Sequence, residues 1–165
     1  MQKFQIARKE ALSKIRAADH MLTQTYPMIR DNKLLLSVLS NLIAGVESTI
    51  TAILHYDRAF HKIPPFHDNF GSKLHLFRNT SVSIHKLQDF LPFIISLNDI
   101  SEKHKSSPVE FARQDSFVMC DNNYSMRTIT AKDLKKFIDD AKGFYMKAAE
   151  ITAENEEIFN LEREE

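Results

Sequence analysis

The run Leu35-LSVLSNLIAGVESTITAI-Leu54 decides how the rest of the chain is read. Within it Leu35, Leu39, Leu42, Val46, Ile50, Ile53 and Leu54 recur every three or four residues, which lines one side of an α-helix with apolar side chains. Asp31 stands where a helix N-cap is needed. The adjacent Pro64 and Pro65 force an end near His61, because a proline ring inside a helix removes a donor and clashes with the preceding turn. This helix is expected to form the core around which the others pack.

The same period appears on both sides. Upstream, Phe4, Ala7, Ala11, Ile15, Ala18 and Leu22 share one face of a helix expected from Lys3 to Thr25, with Tyr26-Pro27 disfavouring its continuation. Downstream, Asp68 or Asn69 can cap a short helix that aligns Phe70, Leu74 and Phe77. The stretch from Arg78 to His85 is β-branched and rich in hydroxyls, so a break or kink is expected there before Ile84, Leu87, Leu91 and Ile94 resume the period. Pro92 predicts a second irregularity, and Lys103 to Pro108 reads as a polar loop. From Val109 the period falls to two, and Phe117–Cys120 and Tyr124–Ile129 flank Asp121-Asn122-Asn123 as a β-hairpin within about 109–129. Thr130-Ala-Lys-Asp133 has the form of a capping box and opens a last helix through Leu134, Phe137, Ile138, Ala141, Phe144, Ala148 and Ile151. The acidic end, 156–165, is expected to fray. The fold class that follows is mainly α: a four-to-five-helix bundle, one domain over 1–165, with a β-hairpin inserted before the last long helix.

Composition limits the function classes. With 3 Gly in 165 residues the chain has no glycine-rich phosphate loop. Its 22 basic and 22 acidic side chains cancel, so no global field draws it to a polyanion. The charges are unevenly spread: Arg58, Lys62, Lys73, Arg78 and Lys86, with His61, His67, His75 and His85, face only Asp68 between Arg58 and Lys86. The lone Cys120 leaves no internal disulfide framework and no multi-cysteine zinc site, as suits a reducing compartment. The N-terminus is charged and lacks the apolar centre of a signal peptide, and the apolar run Phe90–Leu97 is too short to span a bilayer. A cytoplasmic protein without membrane attachment is expected. No Glu-x-x-His pair occurs, and His55, His61 and His67 lack a His-Glu-x-x-His signature, so neither a metal nor another cofactor is expected.

One constellation carries chemistry. Arg78-Asn79 is followed, after five more residues, by His85; on a regular helix positions seven apart share a face about 10 Å apart, and a kink would bring them closer. Histidine moves protons near neutral pH, and the guanidinium fork of arginine stabilises charge on phosphate. Together they are the parts needed to drive a ribose 2′-hydroxyl onto its neighbouring phosphate without a metal. Arg58, Lys62 and Lys86 would add phosphate contacts to an RNA strand.

The segment Arg78-Asn79-Thr-Ser-Val-Ser-Ile-His85 resembles the motif of the HEPN superfamily. These are helical-bundle proteins, many of them RNases of prokaryotic defence and toxin–antitoxin systems. The family motif is an arginine, commonly followed by a polar residue, then a histidine after four to six intervening residues; here there are six. The resemblance implies a metal-independent endoribonuclease with Arg78 and His85 catalytic and Asn79 orienting substrate or phosphate. It also implies a homodimer whose two motifs face one another. The rival class is a non-catalytic interaction or oligomerisation module, binding itself or a protein partner through helix faces; RNA or nucleotide binding without cleavage is a third.

Overall fold

In a computed structural model, which describes residues 1–107 and 109–161, the Leu35–Leu54 run is the middle of α3 (Lys33–Ala59). All seven apolar residues of its stripe are buried at the centre of one continuous core. By length and composition α3 is long and apolar enough to cross a membrane; its stripe is covered by α1 (Lys3–His20), α4 (Phe70–Asn79), α6 (Leu91–Ser106) and α7 (Ala131–Ala153). These five helices make up the bundle.

Helix α1 presents Phe4, Ala7, Ala11, Ile15 and Ala18 to the core. Its backbone approaches α3 so closely at Gly45 that an added Cβ would stand 2.7 Å from Ile15 Cγ1. The helical path does not stop at Tyr26-Pro27 as expected. A π turn over Met21–Thr25 widens the ladder, the Tyr26 N–H donates to the Met21 carbonyl, and Pro27 falls in the first turn of α2 (Tyr26–Ile29). A proline costs no hydrogen bond in a first turn. The chain leaves α2 through Arg30 at φ 51°, and the Asp31 carboxylate accepts from the Lys33 N–H at 2.9 Å to open α3.

Asn69 rather than Asp68 caps α4, accepting from the Ser72 N–H at 2.8 Å. The helix then breaks at Thr80 (φ −132°, ψ −74°) and resumes as the short α5 (Ser81–His85). The second irregularity falls where Pro92 predicts it: a 3-10 turn at Gln88–Phe90 interrupts the helical path, and Pro92 sits in the first turn of α6 that follows. Residues 103–106, expected in a loop, belong to α6; Pro108 lies outside the described residues.

The expected hairpin is β2 (Ser116–Cys120) with β3 (Met126–Thr130), extended by β1 (Val109–Arg113) into an antiparallel meander of order β1-β2-β3. Val118 of the central strand pairs with Phe111 on one side and Thr128 on the other. Phe117, Val118 and Met119 are all buried, so both faces of β2 are covered. Tyr124 is in the turn rather than in the strand, at φ 58° and exposed. The Asp121 carboxylate holds that turn by accepting from the Asn123 and Ser125 N–H groups, both at 2.9 Å. Three bonds fasten the opposite end of the meander to the bundle. The Tyr26 hydroxyl donates to the Asp115 carboxylate, the Asn32 side-chain amide to the Arg113 carbonyl, and the Ala131 N–H to the Asp115 carbonyl. Burial, then the bond to Asp115, pushes the Tyr26 phenol up to about 12.

The capping box at the start of α7 is complete: Thr130 Oγ1 accepts from the Asp133 N–H and Asp133 Oδ2 from the Thr130 N–H, each at 3.0 Å. Fraying from residue 156 is not found. Helix α8 (Glu156–Leu161) packs back on α1, with Glu156 bound to Arg8 at 3.0 Å and the Phe159 ring edge-on to Phe4 and Phe60. Residues 162–165 lie outside the described residues.

Candidate functional site

The break at Thr80 decides where the motif residues go. Arg78 and Asn79 are the last two residues of α4, whereas His85 ends α5, so the two-turn alignment of one regular helix does not apply. After the break Ser81 and Val82 turn inward, and Ile84, expected in the core, is 40% exposed. Arg78 is exposed and has no acidic partner among the described residues. The Asn79 side-chain nitrogen lies 3.1 Å from His75 Nε2, one turn earlier on α4. Arg78 and His85 make no contact with each other among the described residues.

His85 is brought instead to Asp57 in the last turns of α3. Its Nε2 lies 2.7 Å from Asp57 Oδ1, and its side chain is 11% exposed. Asp57 is fully buried, and its second oxygen accepts from the Ser81 hydroxyl at 2.6 Å. A carboxylate only accepts hydrogen bonds, so the proton in this contact is carried by Nε2. In the neutral imidazole Nδ1 is then the nitrogen with a free lone pair, and it has no partner among the described residues. An ordered imidazole with one nitrogen held by a carboxylate and the other free to take up a proton can act as a general base. The Tyr56 ring, 6.5 Å away between centroids, forms part of the apolar wall beside it.

Sequence reasoning did not find Asp57 or Ser81, although Asp57 carries a signal. It follows Ile53 by four residues and Leu54 by three, in phase with the buried stripe of α3, and an acid in that position must find donors.

The three cations expected to contact phosphate, Arg58, Lys62 and Lys86, stand in different local surroundings. Lys62 lies beyond the end of α3 with its ammonium 5.9 Å from the centroid of the Phe60 ring. Lys86 is exposed at φ 57° and closes α5 through its N–H to the Val82 carbonyl. Arg58 lines a cleft of about 590 Å³ between α1 and α4, floored by α3, to which neither Arg78 nor His85 contributes. Lys73, another of the mid-chain cations, is buried beside that cleft and pairs with Asp68 at 2.6 Å and Glu47 at 3.2 Å. Burial alone would push its ammonium down, but the two carboxylates outweigh it and hold it above its ordinary value. Among the described residues no three His, Cys, Asp or Glu side chains are grouped to hold a metal ion. Compared with known proteins, the chain matches no family model, no curated protein and no solved structure.

Proposed function

We propose that the chain is a HEPN-like, metal-independent endoribonuclease acting on RNA phosphodiesters. The observation that carries this reading is the contact of His85 Nε2 with the buried Asp57, which leaves Nδ1 as the basic nitrogen. In the proposed reaction Nδ1 takes the proton of a ribose 2′-hydroxyl as its oxygen attacks the adjacent phosphorus. The bond from phosphorus to the 5′-oxygen breaks, and that oxygen leaves with a proton taken from solvent water, giving a 2′,3′-cyclic phosphate and a 5′-hydroxyl, while the imidazolium returns its proton to solvent. Asp57 orients the ring and stabilises the imidazolium that forms; Ser81 holds Asp57. Arg78, without an acidic partner among the described residues, meets the charge on the phosphate, and Asn79 helps to orient it. Two copies pair so that their motifs face one another, and the exposed Ile84 beside His85 supplies apolar surface for that contact.

The test compares wild type with His85→Ala and Arg78→Lys on diverse RNAs in the presence of EDTA. His85→Ala should fold and cleave about two or more orders of magnitude more slowly. Arg78→Lys should also lose activity, because an ammonium keeps the charge without the planar fork. Cleavage that survives in folded His85→Ala, or that EDTA abolishes, would sink this mechanism. No cleavage by any form would favour the non-catalytic interaction module.

A further inference from the structure

A groove of about 440 Å³ lies between the entry into α6 and the first half of α7. Phe90 and Phe93 line one side of it and Phe137 the other, and all three are half-buried. Phe144, fully buried, packs against both Phe90 and Phe93, with ring centroids 5.3 and 6.4 Å away. These two rings are therefore backed from the core and keep an open side toward the groove.

The two helices run in opposite directions along it. Phe90 stands at Gly143, where an added Cβ would be 3.9 Å from its ring, and Ser96 is reached at 3.4 Å by the guanidinium of Arg127, on the strand that leads into α7. Asp89, beside Phe90, and Asp140, three residues before Gly143, therefore lie toward one end, and Lys136 and Arg127 toward the other. None of these four side chains has an oppositely charged partner among the described residues. On α7 the contrast is local: Lys135 and Asp139 close an ion pair at 3.4 Å, whereas Lys136 and Asp140, with the same spacing but on the groove, form none. An exposed pair at this spacing is weak in any case and gives way to a ligand that answers both charges. Acid at one end, base at the other and phenyl rings between them complement a molecule with an ammonium and a carboxylate at its two ends and apolar substituents in its middle. A polyanion or a polycation would meet like charge at one end. Lys136 and Asp140 are about 6 Å apart along the helix axis, and two extended residues span about 7 Å, whereas a single amino acid carries both charges on one carbon.

We propose that the groove between α6 and α7 binds a dipeptide of apolar residues with both termini free, its ammonium at Asp89 and Asp140, its carboxylate at Lys136 and Arg127, and its side chains against Phe90, Phe93 and Phe137. No residue of the proposed cleavage site lines this groove, and the inference stands without that reading.

Calorimetry on the whole chain with leucyl-leucine, its N-acetyl form, its C-terminal amide, free leucine and glycyl-glycine tests this. Leucyl-leucine should bind about tenfold more tightly than any of the other four, each of which lacks one end charge, the span or the apolar side chains. The pair Asp89→Asn and Asp140→Asn should weaken leucyl-leucine about tenfold and leave its N-acetyl form nearly unchanged. The pair Lys136→Gln and Arg127→Gln should weaken leucyl-leucine to a similar degree and spare the amide. Each variant removes the partner of a charge that the modified ligand no longer carries, so the two losses should not add. The ligand series on the wild type decides even where a variant fails to fold. No leucyl-leucine binding at millimolar concentration, capped forms or free leucine that bind as tightly, or binding that both charge variants leave intact overturns the proposal.

Discussion

A carboxylate shut away from water must have its charge answered at both oxygens, and Asp57 has this from His85 and Ser81. Ser81→Ala would strip one oxygen of its donor in a place water does not reach. The expected cost is about 2 kcal/mol, the range for a hydrogen bond to a charged group, read as a lower midpoint in urea unfolding. An unchanged midpoint would mean that the carboxylate finds another donor. His55 gives a pH dependence of definite sign. Its folded-state pKa lies below the ordinary 6.5, so the folded state prefers the neutral ring. The stability from this preference is complete above about 6.5 and is lost as pH falls through the lower folded value. Urea midpoints measured from pH 7.5 down to 5 should fall, and His55→Gln should remove part of that slope. At this scale the sequence was only half legible. His85 stood out through its spacing from Arg78, but its partner Asp57 lies 28 residues earlier in a run read for its apolar side chains. The burial of Lys73 was legible in part: it follows Phe70 by three residues and precedes Phe77 by four, so it shares their inward face, but it was read only as one of the mid-chain basic charges.

Elements were more legible than their ends. The three- and four-residue spacing in α1, α3 and α7 names residues that are buried, Phe137 alone among them being half-buried, because that spacing is enforced along the whole length of a packed helix. Ends depend on single local bonds. The Thr130–Asp133 box was readable because both partners lie within four residues. The π turn before Pro27 was not readable, because it arises from how the ladder shifts its register rather than from any one residue type. The closest approach between elements is at Gly45. Gly45→Ala gains about 1 kcal/mol in helix propensity but puts a methyl group 2.7 Å from a buried Ile15 side chain. Overpacking of this kind costs about 1–3 kcal/mol, so the balance should be a loss, seen as a lower Tm. A higher Tm would show that α1 can move aside without cost.

Across the whole molecule, the pattern of residues predicted a helical bundle with a β insertion but could not say how the insertion is held. The Tyr26 hydroxyl and the Asp115 carboxylate that it meets are 89 residues apart, and no local pattern links them. That separation bears on the order of assembly. Contacts between near neighbours in sequence, such as the α1 face against α3 or the turns of the meander, form after small loop closures. A bond that waits for both a finished α2 and a finished β1–β2 turn belongs on the native side of the folding barrier. Tyr26→Phe keeps the buried ring and removes only the hydroxyl, which donates to Asp115 and lies 3.2 Å from Asn32 Oδ1, a change of about 1 kcal/mol at this partly exposed site. In stopped-flow kinetics the refolding rate should be unmoved while the unfolding rate rises about fivefold. A slower refolding rate would instead put this long-range clasp inside the folding nucleus. The Tyr26–Asp115 pair thus acts as a latch on lifetime: it does little to help the chain find its fold and lengthens the time it stays there.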